Sequence, residues 1–380
     1  MAQMKSTDGI IRLLCVVLFV IFSFTYLYYY QADVLTATQF ILAHGQTHYN
    51  RTVGAILITT ALILLEIGVS RLCPNVGQLF ALWFLPSAIA LTYLTSITIY
   101  GDGNYTFGAG VYLYPLLFVV VIALLFLFSY GLGSRSIIIS RWPIARTLWL
   151  NVLILSIAFL FTCAFSNSDK VMHTRLHVEQ CISDGRYDEA VDALTDMNIP
   201  DSNMTMLTAY VLSRKNMLPE HLFTFNIIGG SESLLPNKEK CIGTVFFPED
   251  SLYKFIGTVY RQRMNPMHYL RYVQHHKSGN KHAVDYLLCG YLLDRNLDAF
   301  VNEIMKHHIV SDSLPQHYRE ALTLYTHLHS NPKLIYRSNV MDADFEDYQD
   351  MERKYSNPAE RKTQLRTTYG NTYWYYYQYK

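Results

Sequence analysis

Two pairs of histidines have a spacing that could bind a metal ion. His44 and His48 form one pair, and His173 and His177 form the other; each pair has the four-residue separation that places both imidazoles on one face of a helix. Imidazole nitrogens bind zinc and copper. The first pair contains Gly45, where a helix should end, and neither pair has a carboxylate or a cysteine at ligand spacing. We therefore expect no bound metal and no other cofactor.

Other reactive side chains give no catalytic pattern. His317, Glu320 and His327 share one face of a predicted helix, but a bundle metal site needs ligands from several helices, so we expect a solvated face. Cys181 and Cys289 lie on apolar helix faces, where cysteine serves as a small hydrophobic residue. The sequence contains no phosphate-binding loop, nucleophile elbow, HExxH or paired CxxC motif. We predict no catalytic residues.

The composition divides the chain into two parts that suit different solvents. The 380 residues are 51% hydrophobic and carry a formal net charge of +1, which excludes a disordered chain and gives no reason to expect nucleic-acid binding. Residues 1–167 contain 11 charged side chains, whereas residues 168–380 contain 50. The first part therefore suits a lipid bilayer, and the second suits water.

The first part is predicted to cross the membrane five times. Five nearly uncharged runs have the length of a membrane-spanning helix: residues 11–30, 53–70, 79–99, 112–132 and 148–165. With the amino terminus inside, the inner connections hold six Lys and Arg residues and the outer loops hold only Arg51, as the positive-inside rule requires. Five spans then place residues 168–380 on the far side. Glu66 is the one carboxylate inside a predicted span, and we expect it near Arg71 at the interface.

The second part is predicted to be an all-helical domain. Apolar residues recur at helical spacing in short segments, and three helix hairpins break at Gly185, Asn216 and Asn296. The string GRYDEA at 185–190 resembles the turn of a tetratricopeptide helix pair. The unequal spacing of the breaks predicts a degenerate tetratricopeptide-like repeat with an irregular insert at 225–250. The whole chain is thus all-α, with a transmembrane domain at 1–167 and a helical-repeat domain at 168–380.

Several segments carry a resemblance to a known family. The segments are THYNRTVGAILIT, LTAYVLSRKNMLPEHLF, DYLLCGYLLDRNLDAF, LPQHYREALTLYTHLHSNP and TYWYYYQYK. They are similar to those of an uncharacterised family of Bacteroidales membrane proteins, in which several spans precede a periplasmic helical domain. The resemblance implies a Gram-negative inner membrane with residues 168–380 in the periplasm, and it supplies no catalytic residues.

The leading functional hypothesis is a membrane-anchored periplasmic scaffold that binds a protein or peptide partner in the cell envelope. The absence of a catalytic pattern and the stacked helix pairs favour it. Aromatic and arginine side chains dominate binding energy at interfaces, and on that basis the predicted binding residues are Tyr318, Arg319, Glu320, Tyr325 and Trp374.

The alternative is an enzyme or accessory subunit that processes envelope glycans or lipid-linked sugars. Such a site would need ionisable groups that converge at the outer membrane face. The candidates there are Asp33, His44, His48, Arg51, Asp102, His173 and Arg175.

Overall fold

The computed structural model describes residues 2–101, 103–107, 110–133, 143–197, 199, 201–237, 243–260, 262 and 264–380. Over these residues the fold is helical, apart from one short hairpin in which Thr98–Ile99 pairs with Tyr105–Thr106 in antiparallel register. The predicted all-α class is confirmed. Contacts divide the chain into an N-terminal unit, Met1–His173, and a C-terminal unit, Thr174–Lys380.

The N-terminal unit is built from apolar helices. They are α1 (Ala2–Thr25, extended by a π-helical turn at Tyr26–Tyr30), α2 (Ala32–Leu42), α3 (Arg51–Leu72), α4 (Leu85–Thr95, preceded by a 3₁₀ turn at Phe80–Phe84), α5 (Gly110–Gly133) and α6 (Ile144–Phe165). Four helical segments are long and apolar enough to cross a membrane: Asp8–Tyr30, Arg51–Leu72, Gly110–Tyr130 and Ile144–Phe165. They coincide with four of the five predicted spans.

The third predicted span, residues 79–99, is shorter than the sequence indicates. Its helical part is Phe80–Thr95, because the chain leaves the helix at Ser96 and enters the hairpin. Pro86 lies in the first turn of α4, where the missing N–H costs no hydrogen bond, and the turn before it is 3₁₀. The count of five spans is therefore not confirmed.

This short segment runs alongside α6 and contacts it near both ends. At the start, the Asn151 side chain accepts a hydrogen bond from the Ala81 N–H at 2.8 Å and donates one to the Gln78 carbonyl at 2.8 Å. At the C-terminal end of the segment, the Asn167 N–H donates to the Thr95 carbonyl at 2.9 Å. The segment therefore runs parallel to α6 beside its later part, from Asn151 onward, and the first two turns of α6 extend beyond it.

Glu66 is buried in the N-terminal unit and pairs with a distant arginine. Its Oε1 lies 3.2 Å from a guanidinium nitrogen of Arg12 in α1, which also donates to the Ser70 hydroxyl at 3.2 Å. The expected position near Arg71 is wrong. Packing of α1 against α3 brings the two charges together, which sequence proximity does not reveal.

The C-terminal unit continues as helices joined by tight turns. They are α7 (Lys170–Ser183, which contains the division between the units), α8 (Tyr187–Thr195), α9 (Ser202–Arg214), α10 (Leu218–His221), α11 (Asp250–Ile256), α12 (Pro266–His275), α13 (Lys281–Leu293), α14 (Leu297–His307), α15 (Gln316–Leu328), α16 (Asn339–Lys354), α17 (Pro358–Tyr369) and α18 (Tyr373–Tyr379).

Four of these helices end in the same kind of turn. The second residue after each helix has a positive φ, and these residues are Gly185, Asn216, Lys277 and Arg295. The following N–H then reaches back five residues, as in the 2.8 Å bond from Arg186 to the Cys181 carbonyl, which is the Schellman arrangement. Three of the four turns coincide with the predicted hairpin breaks. A tetratricopeptide repeat is not confirmed, and the insert at 225–250 contains a 3₁₀ turn at Gly230–Ser233.

The core of the C-terminal unit contains polar groups as well as aromatic rings. The Tyr318 hydroxyl donates to Asp285 Oδ1 at 3.4 Å, and Cys289 Sγ lies 3.9 Å from the same hydroxyl. Burial raises the pKa of Asp285 to about 6, although the Lys281 charge and the tyrosine hydrogen bond oppose the shift. Burial of this carboxylate in its ionised form is therefore unfavourable.

We predict that Asp285→Asn reduces the pH dependence of stability. A carboxyl whose folded pKa is raised stabilises the fold fully below its unfolded pKa of about 4, and this contribution is lost as the pH rises through about 6. Between about pH 5 and pH 8, the free energy of unfolding of the parent should fall by roughly 1–2 kcal/mol more than that of the variant. Thermal unfolding of the detergent-solubilised chain measures this difference, with the exposed Asp347→Asn as control. Equal pH profiles for parent and Asp285→Asn would contradict it.

Candidate ligand-binding cleft

The C-terminal helix α18 is fixed to the unit by one buried carboxylate. Glu320 of α15 accepts a hydrogen bond from the Tyr373 N–H at 2.6 Å, at the first turn of α18. The free N–H groups of a helix start favour a negative charge at this position. The Glu320 main-chain carbonyl also accepts from the indole N–H of Trp374 at 2.8 Å. Both contacts hold the aromatic terminal segment against α15.

The same carboxylate is held in place by two further side chains. His317 Nδ1 donates to Glu320 Oε2 at 2.9 Å, and the Gln316 amide donates to Oε1 at 2.7 Å. His317 Nε2 accepts from the Phe223 N–H at 3.3 Å, so the ring proton of the neutral imidazole lies on Nδ1. Glu320 and His317 therefore connect α15, α18 and the segment after α10. We call these contacts the Glu320 network.

The elements that this network connects line a cleft with a volume of about 590 Å³. This volume is within the range of about 300–1,000 Å³ that is usual for ligand sites. The cleft is lined by Leu194, Thr195, Met197, Thr224, Phe225, Asn226, Lys362, Arg366, Gly370, Asn371, Tyr375, Tyr379 and Lys380. The end of α8, the segment after Phe223, α17 and α18 thus each contribute a wall.

The cleft is positively charged. Lys362, Arg366 and Lys380 line it, and none of its described lining residues is acidic. Lys362 and Arg366 are four residues apart on α17, and neither forms an ion pair in the described part of the chain. Partial desolvation, followed by the charge of Arg366, lowers the pKa of Lys380, whose Nζ donates to the Phe225 carbonyl at 3.3 Å. The three side-chain charges therefore lack a compensating acidic side chain among the lining residues.

Aromatic rings form one side of the cleft. Tyr375 and Tyr379 are stacked, with ring centroids 5.3 Å apart, and the Tyr379 hydroxyl donates to Glu352 at 3.0 Å. Arginine and lysine bind carboxylates and phosphates, and tyrosine rings provide rigid contact area. The arrangement suits binding of an anionic ligand, and no nucleophile with an adjacent base lines it.

None of the predicted binding residues lines the cleft. Tyr318, Glu320, Tyr325 and Trp374 are buried, and Arg319 is half-buried. In this structure they support the fold, and a role for them in partner binding stays a prediction. The expected solvated face of α15 is wrong for His317 and Glu320, because α18 covers it. Its third member, His327, pairs with Asp342 at 3.7 Å.

The first histidine pair does not share a helical face. Helix α2 ends at Leu42, His44 has a φ of +49°, and His48 lies in the irregular segment that follows. Both side chains are exposed. In the N-terminal unit, His173 Nε2 lies 3.3 Å from the Asn167 carbonyl oxygen.

His177 has different neighbours from those that the sequence analysis considered. Its Nε2 lies 3.7 Å from Cys181 Sγ, which in turn lies 3.7 Å from Glu189 Oε2. The expectation that no cysteine or carboxylate stands near this histidine is wrong. Cys181 follows it by four residues, a spacing visible in the sequence. The turn at Gly185 adds Glu189 from α8.

The residues proposed for an enzyme site are only partly brought together. Arg51 and Asp33 form an ion pair at 2.8 Å in the N-terminal unit. Arg175 belongs to the C-terminal unit, where its Nε lies 3.6 Å from Glu179. Asp102 lies outside the described residues.

The helical fold and its four long apolar helices suggest a membrane protein, and its C-terminal unit carries a cationic cleft. Residues 249–380 match the model of a family of unknown function, DUF6057. The match includes the Glu320 side of the network and the three cations of the cleft. It fits the predicted resemblance to an uncharacterised family. Neither the curated proteins nor the solved structures gave a significant match.

We predict that Glu320→Gln destabilises the C-terminal unit. The neutral amide is a weaker acceptor for the Tyr373 N–H, and its NH₂ group opposes the His317 donor, so the loss should be about 1.5–3 kcal/mol. Thermal unfolding in detergent measures it, and limited proteolysis should cleave α18 faster. The exposed Glu360→Gln is the matched control. A variant as stable and as resistant as the parent would show that the network does not hold α18.

Proposed function

We propose that this chain is a membrane-anchored scaffold of the bacterial cell envelope that binds an acidic segment of a partner protein in the cleft of its C-terminal unit. The observation that carries the proposal is the cluster of Lys362, Arg366 and Lys380 in a cleft without acidic lining residues among those described. Like charges held together without a counter-charge are unfavourable, and an anionic ligand relieves this repulsion.

The size and the other groups of the cleft favour a short peptide segment. A volume of about 590 Å³ is too small for a folded domain. Arg366 can form paired hydrogen bonds with a carboxylate, and the stacked rings of Tyr375 and Tyr379 can contact the apolar part of neighbouring side chains. The segment Thr224 to Asn226 adds main-chain groups. The proposed ligand therefore combines acidic side chains with apolar contact.

We further propose that residues 80–95 cross the membrane, which gives five spans. The 5 residues in the 3₁₀ turn and the 11 residues in α4 extend about 26 Å, close to a hydrocarbon core of about 30 Å. Hydrogen bonds near both ends of this segment join it to α6 and to the residue Asn167 that follows α6, a helix long enough to cross a membrane. The amino terminus then lies in the cytoplasm of a Gram-negative bacterium, and the C-terminal unit lies in the periplasm. We interpret its helix pairs as a degenerate tetratricopeptide-like repeat.

The enzyme alternative, which acts on envelope glycans or lipid-linked sugars, has less support. In the N-terminal unit, Arg51 and Asp33 are paired with each other, so both charges are already compensated. No described pocket brings the remaining candidates together with a nucleophile. The scaffold proposal therefore takes precedence.

The double variant Lys362→Glu/Arg366→Glu should bind acidic peptides less tightly. We expect at least a tenfold loss, about 1.4 kcal/mol, because the substitutions reverse two of three cleft charges. Fluorescence anisotropy with a labelled glutamate- and tyrosine-containing peptide and the full chain in detergent measures the affinity. The matched control is Lys354→Glu/Arg353→Glu, which reverses two charges on α16 outside the cleft lining.

Two outcomes would contradict the proposal. One is an affinity that falls equally in the control variant, which would mean that only overall charge matters. The other is tighter binding of a sulfated glycan probe than of the peptide, which would favour a polysaccharide ligand.

Alkaline phosphatase fusions should show whether residues 80–95 cross the membrane. The enzyme is active only outside the cytoplasm, so a fusion after Asn75 should be inactive and a fusion after Thr106 should be active. A fusion after Lys380 should also be active if five spans are present. Inactive fusions at both later positions would place the C-terminal unit in the cytoplasm and refute the proposed orientation.

A further inference from the structure

We infer that His177, Cys181 and Glu189 form a zinc-binding site in the C-terminal unit. One ligand atom from each residue lies within 4.8 Å of the other two. Imidazole nitrogen, thiolate sulfur and carboxylate oxygen are the three ligand types that zinc takes in proteins. The inference does not depend on the proposed function, because these three residues are not part of the cleft lining.

The distances are close to those around a single tetrahedral ion. Zinc–sulfur bonds of about 2.3 Å and zinc–nitrogen or zinc–oxygen bonds of about 2.0–2.2 Å place the ligand atoms roughly 3.4–3.6 Å apart. Cys181 Sγ lies 3.7 Å from both His177 Nε2 and Glu189 Oε2. Small side-chain rotations are therefore enough to close the site around an ion.

The local fold explains why the three residues meet. His177 and Cys181 are four residues apart on α7, so both face the same side of that helix. Gly185 adopts a φ of +75°, and the Arg186 N–H closes the turn on the Cys181 carbonyl. The chain thereby reverses direction, and Glu189 enters from the first turn of α8. A short turn between two helices gives the ligands a defined separation.

A cation already lies against one of the three ligands, and a metal ion would have to displace it from Glu189. Arg186 pairs with Glu189 and with Asp184. When zinc binds, the Cys181 thiol releases its proton to solvent and the sulfur–metal bond forms. The thiolate and the Glu189 carboxylate then balance the charge of the ion, and Arg186 keeps Asp184 as its partner.

The ligand set also indicates which ion is preferred and how it is held. A hard cation such as calcium prefers oxygen ligands, whereas a thiolate and an imidazole favour zinc. Cys181 is fully buried and Glu189 is exposed, so the ion would be reached from the Glu189 side. Three protein ligands leave one tetrahedral position for water or for a group from a ligand.

Cobalt(II) provides a direct test because a cysteine ligand gives it a distinctive spectrum. The full chain in detergent should bind one Co²⁺ with a thiolate-to-cobalt charge-transfer band, and added Zn²⁺ should displace it. His177→Ala and Glu189→Gln each remove a direct ligand and should weaken Zn²⁺ binding at least about 10–100-fold. Loss of a residue that only hydrogen-bonds to a metal ligand already has an effect of about this size. Cys181→Ser should remove the band, whereas Cys163→Ser, in the N-terminal unit, should leave it unchanged.

The surface variant Glu189→Gln keeps the test valid if the buried Cys181→Ser does not fold. Thermal unfolding without metal shows that each variant is folded, and Zn²⁺ should raise the unfolding temperature of the parent more than that of Glu189→Gln. A cobalt band that persists in folded Cys181→Ser, or Zn²⁺ affinities that are equal in parent, His177→Ala and Glu189→Gln, would overturn the inference.

Discussion

The buried carboxylate of Glu320 is the interaction on which the C-terminal unit depends most. A carboxylate removed from water is costly unless donors surround it. Here the donors are the Tyr373 N–H, the His317 imidazole and the Gln316 amide. Two of these donors belong to α15 itself, and the third is a first-turn N–H of α18, so the full set of donors is complete only when α15 and α18 are docked. Burial of Glu320 therefore makes docking of the terminal helix specific.

The cleft is a consequence of this docking. Tyr375, Tyr379 and Lys380 form its wall only while α18 is held, and Phe225 is positioned by the segment that starts at Phe223, which His317 anchors. A cationic cleft is thus built on an anionic residue inside the core. The two charges do not cancel, because Glu320 is already surrounded by its own donors, whereas the cleft cations have no acidic side chain among the lining residues.

Sequence reasoning recovers the features that local patterns determine. The apolar runs predict the long helices, and the turn at Gly185 is visible as a glycine between two amphipathic segments. The His177–Cys181 spacing was also accessible, whereas the contribution of Glu189 requires the α7–α8 turn to be known. Burial of Glu320 could not be predicted, since a glutamate on an amphipathic helix is ordinarily solvated. The same is true of the Arg12–Glu66 pair, which 54 residues separate along the chain.

The length of the segment at 80–95 shows how a local backbone choice can decide the arrangement of a whole membrane protein. A 3₁₀ turn rises about 2.0 Å per residue and an α-helix about 1.5 Å, so the same residues reach further when they begin as 3₁₀. Asn151 makes this possible, because its side chain satisfies the Ala81 N–H and the Gln78 carbonyl, which would be costly to leave unpaired in an apolar environment. One buried amide therefore lets the 3₁₀ turn begin beside α6 without leaving these two main-chain groups unpaired. On the proposal that this segment crosses the membrane, the number of spans, and with it the side of the membrane on which the C-terminal unit lies, depends on how far residues 80–95 reach.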